Sequence, residues 1–197
     1  MMDWDERYSQ DGFTYGSDPN DFLVSVADRI PRGKILSLAE GEGRNAVYLA
    51  SLGCRVTGVD GSEVGLSKAR GLALQRGVAI TTIAADLSGF AVGEGEWDGI
   101  TAFYCHLPSE LRIAVHRAVV QGLKPGGVFV LEAFSKEQLC RETGGPKSLD
   151  MLMSLDELKL ELAGLEFLHA VQLERAVREG SHHTGLASVV QILAVKR

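Results

Sequence analysis

Apolar and polar residues along this chain keep two spacings, one alternating within short runs and one recurring at about 3.6 residues over longer ones. KILSL, Lys34–Leu38, and RVTGVD, Arg55–Asp60, are short apolar runs and predict strands. Between them RNAVYLASLG carries Ala46, Val47, Leu49 and Ala50 at helical spacing until Gly53 stops it. Ser62 caps a second helix running to about Gln75, which Gly77 closes. VAITTIAAD, ending in Asp86, predicts a third strand, and WDGITAFY, ending in Tyr104, a fourth. A helix from about Ser109 to Gln121 follows, then a fifth strand in GGVFVLEAF, ending in Phe134.

Strands alternating with helices imply crossover units, hence a doubly wound, mostly parallel α/β sheet with helices on both faces. The end of the chain breaks that rhythm. LEFLHAVQLERAV and GLASVVQILAVKR are strand-like and joined by the short polar loop REGSHHT, with no room for a crossover helix. They must pair antiparallel. The expectation is a seven-stranded sheet closed by a C-terminal hairpin. Residues 1–197 then read as one domain: an N-terminal arm and helix to 30, a core over 31–134, and a lid loop, helix and hairpin over 135–197.

Composition narrows the partners. At 197 residues, with 45% hydrophobic and 23% charged residues, the chain has the make-up of an ordinary globular domain. A net charge of -6 argues against nucleic acid as the main partner, because a phosphate backbone needs a basic surface. No apolar run approaches the roughly 20 residues of a membrane span, and MMDWDERYSQDG lacks the basic and apolar regions of a signal peptide. Three cysteines, Cys54, Cys105 and Cys140, form no CxxC pair. Disulfides and a metal site are therefore not expected, and a cytoplasmic protein is.

The stretch SLAEGEGRNAVYLA, Ser37 to Ala50, carries the chemistry. Gly41 and Gly43 with Ala46 satisfy a G-x-G-x-x-A turn between strand and helix, and Asp60 ends the next strand, where a nucleotide site keeps its ribose-binding acid. Glu40 and Glu42 are interleaved with the glycines. A pyrophosphate about 5 Å from either would be repelled by roughly 3 kcal/mol at an effective dielectric near 20. S-adenosylmethionine has ribose, no phosphate, and a sulfonium cation. The charge pattern favours it over NAD.

Three stretches, ILSLAEGEGRNAVYLASLGCRVTGVDGS, AADLSGF and LKPGGVFVLEAF, resemble the successive motifs of class I S-adenosylmethionine-dependent methyltransferases, whose Rossmann-like fold also ends in a reversed strand. WDERYSQDGFTYGSDPNDFL and GRNAVYLA resemble more narrowly the small bacterial tellurite-resistance and thiopurine-type members, in which an N-terminal aromatic segment folds over the cofactor. The resemblance implies that the backbone of Ala39, Glu40 and Gly41 lines the methionine moiety. Asp60 takes the ribose hydroxyls, Gly61 and Ser62 lie beside the adenosine, and Asp86 and Leu87 meet the adenine. Gly43, Asn45, Tyr104, Cys105 and Tyr15 complete the expected cofactor-binding set. Two positions depart from the family: Ser37 stands where it has an acid and Ala39 where it has a glycine. Glu40 or a bound water then takes over the cofactor's amino group.

Ligands of such sheets bind outside the carboxyl ends of the strands, where the fourth strand delivers FYCHLPSELR. His106 is a candidate proton acceptor or, equally, a helix-entry residue. His183 of the hairpin loop is the second candidate base. Arg175 near that loop and Arg141 of the glycine-rich lid RETGGPKSLD are candidate substrate contacts. No NPPY-like segment follows the fourth strand, which leans away from amide or nucleic-acid nitrogens as acceptors. The expected activity is methyl transfer to a small soft nucleophile: a thiol, a thiopurine-like heterocycle, or a tellurium or selenium oxyanion. No obligate protein partner is evident. The rivals are a cofactor-binding protein without activity and an NAD-dependent oxidoreductase.

Overall fold

A computed structural model describes residues 3–180 and 183–197, with the side chain of His183 outside the description. Its strands are β1 (Lys34–Leu38), β2 (Arg55–Asp60), β3 (Thr81–Ala84), β4 (Trp97–Phe103), β5 (Leu123–Phe134), β6 (Leu165–Glu179) and β7 (His183–Lys196). They form a seven-stranded sheet in the order β3-β2-β1-β4-β5-β7-β6. Pairing is parallel from β3 through β5 and antiparallel for β5–β7 and β6–β7. The mostly parallel sheet and the terminal hairpin follow the sequence expectation.

The helices are α1 (Trp4–Tyr8), α2 (Asp21–Val26), α3 (Arg44–Ser51), α4 (Glu63–Gln75), α5 (Ser109–Gly122) and α6 (Leu155–Glu161). The strand period of two sorts the apolar side chains onto opposite faces. Ile35, Val56, Val128 and Val130 pack against Phe22 and Leu23 of α2 and Ala46 and Leu49 of α3. Leu36, Leu38, Phe129 and Leu131 instead pack with Val115 and Val119 of α5, Leu158 of α6 and Leu162 just past it. The strand order turns back on itself between β1 and β4, and the ligand cleft of such sheets lies above that point.

Two boundaries differ from the sequence reading. The third strand is confined to Thr81–Ala84, so Asp86 lies beyond it, and the fifth begins early, at Leu123. The crossover from β3 to β4 contains no helix: Gly89, Gly93 and Gly95 break its twelve-residue ADLSGFAVGEGE stretch, with Gly93 and Gly95 at positive φ. Its Leu87 and Phe90 face Leu111, Ala114, Val115 and Ala118 of α5 across a cavity of about 130 Å³.

Candidate active site

The backbone is strained on both sides of the cleft. Ala39, just past β1, has φ 49°, and Tyr104, just past β4, has φ 52°; these are the non-glycine residues at positive φ among those described. Each such residue costs on the order of 1–3 kcal/mol, which the surrounding structure must offset. A glycine at the Ala39 position would sit there without strain.

The two glutamates of the turn do different jobs. Glu42 points away from the cleft to the N-terminal arm, accepting the Thr14 backbone N–H at 2.7 Å and the Lys68 ammonium at 2.9 Å. Lys68 also holds the carbonyls of Gln10 and Gly12. Glu40 lies beneath the turn, only 8% exposed. Its Oε1 accepts the Ala46 N–H of α3 at 2.8 Å and its Oε2 the Ser37 hydroxyl, which in turn accepts from Thr101. The sequence places both carboxylates within reach of a phosphate on the turn, but Glu42 is committed to the arm, held there by the Lys68 ammonium and the Thr14 amide. Burial pushes the Glu40 carboxyl up from 4.5 to about 7.

Asp60 closes the other side. One carboxylate oxygen accepts the Gly41 N–H and the other the Ser62 N–H, both at 2.8 Å. Burial raises its pKa despite these bonds. Each oxygen keeps a lone pair for a hydroxyl donor. Ser62 caps α4 through Gly65 and donates to Asp5 of α1 at 2.5 Å. Above Gly61 a side chain would meet nothing within 4 Å. Gly41 is different: a Cβ there would lie 2.6 Å from the Tyr8 hydroxyl. Tyr8 and Tyr15 stand edge to face, 6.4 Å between rings, so the arm covers the turn with aromatic surface. At the tip of the hairpin, a Cβ on Gly180 would lie 2.1 Å from the Thr14 carbonyl, so only glycine lets the hairpin meet the arm.

Three further expected residues have local roles in the protein itself. Asn45 accepts the Asn20 N–H at 3.0 Å and so ties α3 to the entry of α2. Asp86 is exposed and accepts from Ser88, which lowers its pKa. Gly43 forms the left-handed entry to α3, where a side chain would strike Ala69 of α4.

Past β4, Cys105 is buried and its thiol is pushed up to about 12, so it is a neutral thiol in the core. The His106 ring lies 2.9 Å from the Met151 carbonyl through Nδ1 and accepts the Phe134 N–H through Nε2 at 3.4 Å. Backbone groups thus engage both nitrogens, which suits a neutral ring protonated at Nδ1. The ring stacks on Phe134 at 11°, and Tyr104 lies 4.7 Å from Phe134, making an aromatic wall.

Behind the wall sits a hub that sequence reasoning did not single out. Glu132 is fully buried and accepts from Asn20, Tyr104, Arg175 and Gln191. A lone acid in the apolar run VFVLEAF was the available signal. Arg175 bridges Glu132 and Asp21, and Arg141 is bound to Glu174 and the Leu186 carbonyl on the hairpin. Both guanidiniums expected at the substrate are therefore turned to protein acceptors. His183 opens β7, its backbone paired with that of Glu179.

Residues 35–127 match the family model described as a methyltransferase domain. That match takes in 93 of the chain's 197 residues. The site's residues fit S-adenosylmethionine as methyl donor: a carboxylate at the end of β2 for the ribose, open space over Gly61, and a buried acid beside the turn. The chain is 29% identical over 137 residues to a 2-heptyl-1-hydroxyquinolin-4(1H)-one methyltransferase of Mycobacteroides abscessus, an alignment covering 68% of this chain and 60% of that protein. It is 35% identical over 104 residues to an uncharacterised methyltransferase of Synechocystis, covering 51% and 47%. The chain thus spans less than two thirds of either relative. TehB from Haemophilus influenzae has the same fold, with a TM-score of 0.75 at 21% identity, over 98% of this chain and 66% of that one.

Proposed function

We propose that the protein transfers the methyl group of S-adenosylmethionine to a small, soft or already anionic nucleophile, with the thiol, thiopurine-like and tellurium or selenium acceptors of the tellurite-resistance and thiopurine type foremost. The chemistry that the cofactor supplies when bound is an electrophilic methyl group on a sulfonium leaving group. Asp60 takes the ribose hydroxyls, the Ala39–Gly41 backbone the methionine end, and Leu87 the adenine side. Tyr8 and Tyr15 exclude water, which matters because in-line displacement needs alignment and a dry site more than a base.

One observation carries the acceptor class: the wall of Tyr104, His106 and Phe134 beside the turn, in which both His106 nitrogens are engaged by backbone. A pocket of that kind favours a flat or polarisable acceptor that arrives without a proton to lose. The relative from Mycobacteroides abscessus supports this, because the hydroxyquinolone in its name is a flat heteroaromatic. The reading includes one domain over 1–197, a small-molecule partner rather than nucleic acid, and a cytoplasmic location. Among the described residues no helix is long and apolar enough to cross a membrane.

The test is a panel of aryl thiols, a thiopurine, a 1-hydroxyquinolone, selenite and tellurite, each with methyl-labelled cofactor and mass detection of product. Label on at least one acceptor is expected. Tight binding of S-adenosylhomocysteine with no labelled product from any of them would favour a cofactor-binding protein without activity. Binding of NAD in its place would return the site to the dinucleotide reading.

A further inference from the structure

Glu40 is a buried acid whose hydrogen-bond donors are both neutral, the Ser37 hydroxyl and the Ala46 amide. Its side chain lies across Gly58 of β2, whose Cβ would come within 3.1 Å of it. The charged and titratable groups facing it are Arg44 from α3, Asp60 from β2 and Tyr8 from α1. Arg44 is bound to Glu179 at 2.8 Å, and Asp60 repels. Among the described residues no cation is bound to the Glu40 carboxylate. The cofactor carries two, a sulfonium and an ammonium.

We propose that Glu40 is the counter-ion of the cofactor's ammonium group, delivering from the turn the charge that a strand acid at position 37 would otherwise supply. The Ser37–Glu40 hydrogen bond is the geometric basis, since it lays the Glu40 carboxylate on the side chain of position 37. The same carboxylate caps α3 at Ala46, so it is held in place before any ligand arrives. Burial keeps the acid largely protonated below about pH 7 in the free protein. Seating the ammonium then converts carboxylic acid to carboxylate, and the proton leaves to the buffer.

The experiment is calorimetric titration of the full chain at pH 6 in two buffers of different ionisation enthalpy. S-adenosylhomocysteine carries the ammonium, and 5′-methylthioadenosine has the adenosine without it. Wild type should release close to a full proton with the former and none with the latter. Glu40→Gln should bind S-adenosylhomocysteine at least about tenfold more weakly, with no proton release, and bind methylthioadenosine as wild type does. Equal loss of both ligands would make Glu40 a structural support of the turn and overturn the proposal. So would unchanged binding of S-adenosylhomocysteine. Should Glu40→Gln not fold, wild type carries the test: proton release at pH 6 with S-adenosylhomocysteine but not with 5′-methylthioadenosine supports the placement, and release with neither ligand, both being bound, refutes it. Wild type that binds neither ligand would instead bring down the cofactor assignment itself.

Discussion

Glu132 of β5 and Gln191 of β7 are direct register partners across the antiparallel ladder, and the Gln191 amide donates to the Glu132 carboxylate. Each is a polar residue within an otherwise apolar strand run, VFVLEAF and VVQILAV. The pair places a fully buried charge behind Tyr104, with Arg175 and Asn20 supplying the remaining donors. The hub joins α2, β4, β5, β6 and β7 at the mouth of the cleft. Tyr104 is fixed doubly, its N–H on the Glu132 carbonyl and its hydroxyl on the carboxylate.

Removing that charge should be costly. Glu132→Ala takes the shared acceptor from Asn20, Tyr104, Arg175 and Gln191 and leaves Arg175 with Asp21, and breaking one partner of a buried pair costs about 3–5 kcal/mol. Glu132→Gln keeps the shape and two acceptor lone pairs and should cost less. Urea unfolding midpoints measure both. Equal and small shifts in the two variants would show that the hub contributes no net stability.

Asp60 anchors the turn and faces the expected ribose. Asp60→Ala should weaken S-adenosylhomocysteine binding by at least about 1–3 kcal/mol, the cost of hydrogen bonds lost at a buried acceptor. Isothermal titration reads it directly. Unchanged affinity would move the ribose elsewhere in the cleft.

The sheet was legible because its code is simple. Alternating apolar runs such as KILSL and RVTGVD and the tight polar link REGSHHT leave few arrangements other than parallel strands with a reversed hairpin. The turn and Asp60 were legible too, since glycine spacing and strand ends have fixed geometry. The direction of Glu42 was not. In a tight turn no period dictates which way a side chain leaves, and the choice was made by Lys68 and the Thr14 amide, both distant in sequence. For the same reason Arg175 and Arg141 read as free charges while their acceptors, Glu132 and Glu174, lie on other strands or turns of the hairpin.

His106 separates two accounts of the proton. Its nitrogens meet the Met151 carbonyl and the Phe134 amide, so a positioning role predicts a modest effect of His106→Gln. Loss in kcat should stay below about tenfold, and the acid limb of the kcat/KM profile should not move. A positioned general base contributes about 10²–10⁴-fold. A drop of that size together with loss of the limb near the histidine range would restore His106 as the base.

Glu40 should set a trade-off between stability and binding that depends on pH. Its pKa is raised by burial from 4.5 to about 7, so the native state holds its proton more tightly than the unfolded chain. The linkage sign follows: the stability from the protonated acid is fully present below about pH 4.5 and is lost as pH rises through about 7. A shift of that size corresponds to about 3 kcal/mol of native-state cost at pH 8. Glu40→Gln never carries the charge, so it should melt higher than wild type at pH 8, by roughly 2–4 °C for each kcal/mol recovered. At pH 5 the two proteins should melt close together. Thermal unfolding at both values without ligand measures this, and a variant that is less stable than wild type at pH 8 would mean that ionised Glu40 already has a compensating partner inside the folded chain.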